Sequence, residues 1–283
     1  MAAVLALLSA VVYGAGDFLG GLAARRLPPP AVVLRSNAIG LAGLLVVAPL
    51  VAAEHVAGRD LTFGAIGGIA GGVGVLLLYR GLSTGSMSVV APITGVLSAV
   101  VPVAAGLLQG ERPSAVSSVG AFLGLVAVAL VSRETAVDDV RTSRSSVLNA
   151  VAAGFGFGLF FVAIAEADEA AGLWPVVSGR VASVSLFAIA GLVVRRARVG
   201  SRAAREGTTP ALLVGCGLFD AGANALFLLA THRGLLTLVS VLGALYPAAT
   251  VLLARIVLHE RMNRIQLSGV ALAGVAVALV AGG

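Results

Sequence analysis

The sequence of 283 residues has little charge, no lysine and one cysteine. Charged residues make up 11% of the chain, far below the quarter or so that is typical of soluble globular domains. A single cysteine, Cys216, excludes a disulfide framework and a cysteine metal cluster. The chain also has three histidines and 5% aromatic residues. We expect neither a cofactor nor a metal.

Apolar residues are abundant, at 59% of the chain with a mean hydropathy of +1.05. They occur in long uncharged blocks, which cover residues 81–110, 113–132, 145–165, 234–254 and 265–283. A helix that crosses a bilayer needs roughly 20 mostly apolar residues, and the alternating pattern of a membrane barrel is absent. The sequence therefore predicts an all-α integral membrane protein. Its net charge of +6 is assigned to loops that face anionic lipid and not to nucleic-acid binding.

Charge and Gly/Pro punctuation divide the chain into ten predicted membrane spans. The spans of the first half lie near residues 2–22, 31–53, 62–80, 87–108 and 114–132. Those of the second half lie near residues 147–165, 174–194, 210–230, 236–257 and 264–281. We therefore predict a first five-helix repeat over 1–132, a polar linker over 133–146 and a second five-helix repeat over 147–283.

The ends of the two halves are almost the same sequence. Glu111 and Glu260 occupy matching positions 149 residues apart, in Gly110-Glu111-Arg112 and His259-Glu260-Arg261. Earlier matches pair Pro30 and Arg35 with Pro175 and Arg180, at a separation of 145, and Tyr13 with Phe155, at 142. Because each half has an odd number of spans, the repeat is predicted to be inverted. Inverted repeats are typical of transporters, in which two similar halves hold a site between them.

Several short phrases carry a family resemblance. They are Tyr79-Arg80-Gly81-Leu82, Val89-Val90-Ala91-Pro92, Gly110-Glu111-Arg112, Tyr246-Pro247 and His259-Glu260-Arg261. With them the chain resembles the EamA type of the drug/metabolite transporter superfamily along its whole length. The resemblance implies a transporter in the cell (plasma or inner) membrane that exports small organic metabolites or drugs. Two departures, Ser98 where the second half has Pro247 and His259 in place of Gly, put the local helix geometry in question.

Ionisable groups inside a membrane span are costly and mark candidate sites. Asp17 lies one turn after Tyr13, and Asp220 lies one turn before Asn224, so each pair shares a helix face. The repeat assigns Leu159 to the position of Asp17, Gly71 to that of Asp220 and Val75 to that of Asn224. This asymmetry predicts that the four polar residues line a central cavity. The alternative is that the carboxylates are hydrogen-bonded to neighbouring helices for packing.

Other candidate residues have two interpretations each. Tyr13, Tyr79 and Tyr246 are predicted to line the cavity, where their rings can bind an organic solute, or else to pack in the core. Arg35 and Arg180 attract an anionic group or form a repeated structural ion pair, and the structural role is favoured. Glu111 and Glu260 are predicted to fix tight turns between helices.

The favoured hypothesis is a secondary transporter that works by alternating access. Its coupling to protons through Asp17 or Asp220 is open, and so is facilitated diffusion. The alternative is a membrane scaffold or sensor that transports nothing. An enzyme is not expected: Gly81-Leu82-Ser83-Thr84-Gly85 has the spacing of a nucleophile elbow, but it lies between two membrane helices. The expected partners are the lipid bilayer and a small-molecule substrate.

The arginines also predict an orientation. The loops after the odd-numbered spans hold twelve of them, against three (Arg59, Arg112 and Arg233) on the other side. Cationic loops stay in the cytoplasm, so both termini are predicted to lie outside.

Overall fold

The structure, a computed structural model, describes residues 1–24, 27–84, 87–131, 144–197, 210–257 and 263–283. Within these ranges the chain forms α-helices and short 3-10 turns, and no strand. The helices of the first half are α1 (Ala2–Ala24), α2 (Pro29–Val47), α3 (Gly58–Thr84), α4 (Met87–Leu108) and α5 (Ala115–Val131). Those of the second half are α6 (Arg144–Ala165), α7 (Trp174–Ala197), α8 (Pro210–Thr231), α9 (Leu236–Gly243), α10 (Tyr246–Val257) and α11 (Arg264–Gly282).

The helices have the length and surface of membrane spans. Eight helical segments of the described chain are long and apolar enough to cross a bilayer, and two shorter apolar helices cover Ile93–Leu108 and Ala115–Val131. Large apolar side chains lie on the outside, including Phe122 at 65% and Ile189 at 62% exposure. Such a surface suits lipid and not water. The chain is therefore an all-helical, multi-pass membrane protein.

The predicted ninth span, 236–257, is two helices and not one. The backbone turns at Ala244 and Leu245, where the Leu245 N–H donates to the Leu242 carbonyl at 3.2 Å. Pro247, which has no N–H and whose ring clashes with the carbonyl four residues earlier in a continuous helix, lies at the start of α10. In the first half Ser98 takes the place of Pro247, and α4 runs unbroken through it. A proline alone does not break a helix here, since α4 also runs unbroken through Pro92 and Pro102.

Most helices pack against helices of the opposite half. Helix α1 packs on α8, α2 on α8, α3 on α6 and α7, and α5 on α11. Glycines let backbones approach. A Cβ at Gly120 would lie 2.9 Å from the Cβ of Leu279, and a Cβ at Gly269 would lie 2.9 Å from that of Leu130. These two contacts are related by the separation of 149 residues that the sequence indicates.

The structure corrects the predicted equivalence, within the internal repeat, between residues of α1 and residues of α6. Gly14 lies against Ala249 and Thr250 of α10, and Gly158 lies against Val101 of α4. Since Val101 and Thr250 are counterparts at 149 residues, Gly14 and Gly158 are counterparts at 144 and not at 142. Asp17 is therefore equivalent to Phe161 and Tyr13 to Phe157. Leu159, the predicted counterpart of Asp17, is 52% exposed on the outside of the helix.

The predicted equivalence between residues of α2 and residues of α7 was also wrong. Gly217 lies against the carbonyl of Ser36, and its counterpart Gly68 lies against the carbonyl of Gly179. The separation is thus 143 residues, because the prolines that open the two helices do not occupy equivalent positions. Asn37, and not Arg35, is the counterpart of Arg180. The two arginines are not a repeated pair.

Candidate functional site

A cavity of about 180 Å³ lies in the middle of the bundle, and we refer to it as the central cavity. Both halves of the chain line it: the first half contributes α1, α2, α3 and α4, and the second half contributes α6, α7, α8 and α10. Asp17 lies mid-helix in α1, yet its side chain is exposed, because it opens into this space.

One face of the central cavity is polar and comes from α1 and α8. It contains Tyr13, Asp17, Asp220 and Asn224, which we refer to as the polar wall. The Tyr13 hydroxyl donates a hydrogen bond to Asn224 Oδ1 and so joins the two helices. This hydrogen bond joins two residues that also line the cavity.

The second polar element is a chain of contacts around Arg180. Its Nη2 lies 2.5 Å from Asp220 Oδ2, without forming an aligned hydrogen bond, and its Nη1 donates to Asn37 Oδ1. Asn37 in turn donates from Nδ2 to Ser183 Oγ at 3.0 Å. Arg180 is 7% exposed. A buried guanidinium needs a counter-charge and hydrogen-bond acceptors, and here Asp220 and Asn37 provide them.

Three aromatic residues also line the central cavity. They are Phe157, Phe160 and Phe161 of α6, and we refer to them as the aromatic wall. The rings of Phe160 and Phe161 have centroids 5.4 Å apart, and Phe161 meets Tyr13 edge-on at 6.3 Å. Gly71 of α3 faces these rings, since a Cβ there would lie 3.5 Å from Phe160. Small residues of α3 thus leave room for the phenyl groups.

The predicted cavity residues are largely together. Tyr13, Asp17, Asp220, Asn224 and Tyr246 all line the central cavity. The backbone of Tyr79 belongs to α3, but its side chain lies outside the described part of the structure. Tyr246 begins α10, directly after the break in the ninth span, and its ring lies 6.1 Å from that of Tyr13.

The two predicted arginines differ in position. Arg180 lines the central cavity, whereas Arg35 is exposed and does not. Sequence reasoning missed Asn37 and the aromatic wall. The internal repeat could have indicated them, because Asn37 is the counterpart of Arg180 and Phe161 is the counterpart of Asp17. These equivalences hold only at the residue separations that the structure defines.

Glu111 follows α4 and acts on the other half of the molecule. Its carboxylate accepts hydrogen bonds from the backbone N–H of Leu236 at 2.5 Å and of Thr237 at 2.8 Å, and from Thr237 Oγ1 at 2.5 Å. These groups are the N-terminus of α9, where a helix has unpaired N–H donors and a positive dipole end. Glu111 therefore caps the first piece of the broken span. Its predicted equivalent, Glu260, lies outside the described residues.

Comparison with known proteins identifies the family of this helix bundle. The model of the EamA-like transporter family matches residues 1–133 and, separately, residues 144–282. The chain belongs to the EamA-like transporter family. This is a family of transporters and not of enzymes.

The fold of this EamA-like protein is also known from crystallography. A crystal structure with 16% sequence identity aligns over 99% of this chain and 98% of its own, with a TM-score of 0.76. At this identity the likeness concerns the fold alone. No curated protein matches the sequence.

Proposed function

We propose that the protein is a secondary transporter that moves small organic solutes by alternating access around the central cavity. The observation that carries the proposal is the position of that cavity, which both repeats line and which holds ionisable groups in the middle of membrane helices. Such groups are costly in a bilayer and are retained where they meet solute, ions or water. We take residues 1–132 and 147–283 as two inverted five-helix repeats, joined by a linker over 133–146, that move against each other.

The broken span supports a moving element at the cavity. The chain breaks between α9 and α10, and Tyr246 at the break lines the central cavity. Discontinuous helices at the substrate site recur in transporters, because freed backbone groups and helix ends can contact the solute. We infer that solute leaves the cell by this route, as the family resemblance implies. Proton coupling, where it exists, acts through Asp17 or Asp220.

The native cysteine allows a direct test. Cys216 lines the central cavity and is the only cysteine of the chain. In cells or oriented vesicles, an impermeant thiol reagent applied from one side is expected to label Cys216. A transported solute is expected to change the labelling rate from both sides in opposite directions. Cys216→Ala is the control for labelling elsewhere.

Transport itself is measured in proteoliposomes loaded with a panel of radiolabelled amino acids, nucleosides, sugars and amphipathic drugs. Folded protein that moves no member of the panel, and whose Cys216 labelling no solute alters, would favour the scaffold or sensor instead.

The arginine distribution supports an orientation with both termini outside. A single cysteine at Ser201, in a Cys216→Ala background, is expected to resist an impermeant thiol reagent on intact cells and to react after permeabilisation. Strong labelling from outside would invert the orientation.

A further inference from the structure

The charges around the central cavity are unequal. Among the lining residues that the structure describes, the ionisable groups with a formal charge are the carboxylates of Asp17 and Asp220 and the guanidinium of Arg180. Two carboxyl groups and one guanidinium leave one carboxyl group without an ion-pair partner. Resting on the proposed transport function, we propose that the substrate is a small monovalent organic cation with about one aromatic ring, and that its cationic group binds at Asp17.

Arg180 is engaged and leaves little for an anion. One of its terminal nitrogens contacts Asp220 at 2.5 Å, and the other donates to Asn37. A solute carboxylate would have to displace one of these partners. It would also approach Asp17, whose like charge repels it. The guanidinium thus neutralises Asp220 and leaves Asp17 as the available charge.

Asp17 has no counter-charge of its own. No hydrogen bond or ion pair joins its carboxylate to another group in the described part of the chain, and its side chain opens into the cavity. An isolated carboxylate in the middle of a membrane protein is expensive unless it meets a cation. A cationic solute supplies that partner.

The aromatic side chains around the central cavity suit the rest of such a solute. Phe161 and Tyr246 both lie next to Tyr13, one turn from Asp17, with ring centroids 6.3 and 6.1 Å from that of Tyr13. Aromatic faces attract organic ammonium groups through the charge distribution of the ring, most strongly where water is excluded. A carboxylate beside several rings therefore favours a quaternary or alkylated ammonium over a compact, strongly hydrated ion.

The volume of the central cavity limits the size of the solute. At about 180 Å³ it is slightly larger than the cavity of about 150 Å³ that holds benzene in an engineered protein. It is well below the range of about 300–1,000 Å³ that is usual for drug-sized ligands. One ring with a small cationic group fits this state of the protein, whereas a cation with three rings does not.

The test uses two probes with the same ring and opposite permanent charges. Benzyltrimethylammonium and phenylmethanesulfonate are titrated separately onto purified wild-type protein, and binding is measured by calorimetry. We expect the cation to bind at least about tenfold more tightly. Asp17→Asn should lower its affinity at least about tenfold, while Asp17→Glu, which keeps the charge, should retain most of it. Arg35→Gln, an exposed change of charge outside the cavity, is the matched control and should leave both affinities unchanged.

A third probe tests size. Methyltriphenylphosphonium carries the same charge on three rings and should compete at least about tenfold less well than benzyltrimethylammonium. Equal or better competition would overturn the assigned size class.

Three further results would overturn the proposed charge class. They are tighter binding of phenylmethanesulfonate, equal binding of the two charged probes, and unchanged cation affinity in Asp17→Asn. These outcomes are separate from the fate of the transport function. Binding of the cation without its flux in proteoliposomes would count against transport alone, and flux of an anion would count against the cation alone.

Discussion

Two residues of the polar wall, Tyr13 and Asp17, occupy positions equivalent to those of Phe157 and Phe161 in the aromatic wall, and their chemistry differs. In the order of the repeat, Tyr13, Asp17, Asp220 and Asn224 correspond to Phe157, Phe161, Gly71 and Val75. The backbone arrangement is shared, so the difference lies in the side chains alone. The duplicated backbone thus carries different side chains in its two halves at the central cavity.

Asp220→Asn should have the largest effect on transport. The change removes a charged group from the proposed site and leaves the Arg180 guanidinium in the central cavity without its carboxylate partner. We expect the initial rate in proteoliposomes to fall more than about tenfold, with folded yield reduced much less. Gly71→Ala at the equivalent position of the other repeat is the control, since its Cβ makes ordinary contacts of 3.5 Å with Phe160. A wild-type rate in Asp220→Asn would remove this residue from the mechanism.

Glu111→Gln should lower stability and leave the contrast between the two walls intact. The amide keeps one acceptor for the N-terminus of α9 but loses the charge that three donors now share. Helix caps and charges at helix ends contribute about 1–2 kcal/mol. We expect a lower melting temperature in detergent, with residual transport in the protein that folds. A stable but inactive variant would show that Glu111 takes part in transport.

Tyr13→Phe gives the polar wall the side chain type of its counterpart, Phe157. It removes the hydroxyl that donates to Asn224 and keeps the ring beside Phe161 and Tyr246. Because a single hydrogen bond contributes about 0.5–1.5 kcal/mol, solute affinity should fall less than about tenfold. Competition binding measures it. A loss of affinity larger than about tenfold would show that the Tyr13 hydroxyl contacts the solute directly.

Arg35→Gln should have the smallest effect. Arg35 is exposed and lies away from the central cavity, and surface substitutions usually change stability by less than about 0.5 kcal/mol. The transport rate and the melting temperature of Arg35→Gln should match those of the wild type, whereas both should be lower in Arg180→Gln. Equal damage in the two variants would restore the idea that they form a functional pair.

Much of the fold follows from the sequence because a bilayer imposes simple rules. Spans must be apolar and about 20 residues long, and the matched ends of the halves define the separation of 149 residues. The register of α2 against α7 did not follow, since Pro30 and Pro175 look equivalent in sequence and are not so in space. The break at Pro247 shows the same limit. Proline is compatible with a kinked helix or with two helices, and packing around the cavity decides between them.

The candidate site was predicted in part, for a physical reason. Charged groups such as Asp17 and Asp220 stand out in an apolar chain because their burial is expensive. Phe160 and Phe161 do not stand out, because a ring that lines a cavity has the same sequence signature as a ring in the core. The partner of Glu111 was hidden for another reason. Its bonds reach Thr237, 126 residues away, and no local pattern reports a contact across that distance.

The packing of helices across the two halves also governs how the chain is made. Ser9 in α1 donates to the carbonyl of Ala223, a partner 214 residues further along. At a synthesis rate of about 5–20 residues per second, that partner leaves the ribosome on the order of 10–40 s after Ser9. During this interval α1 stands in the bilayer with Asp17 and without α8. A nascent chain that stops before α8 therefore exposes to lipid a carboxyl group that the complete bundle keeps in its central cavity.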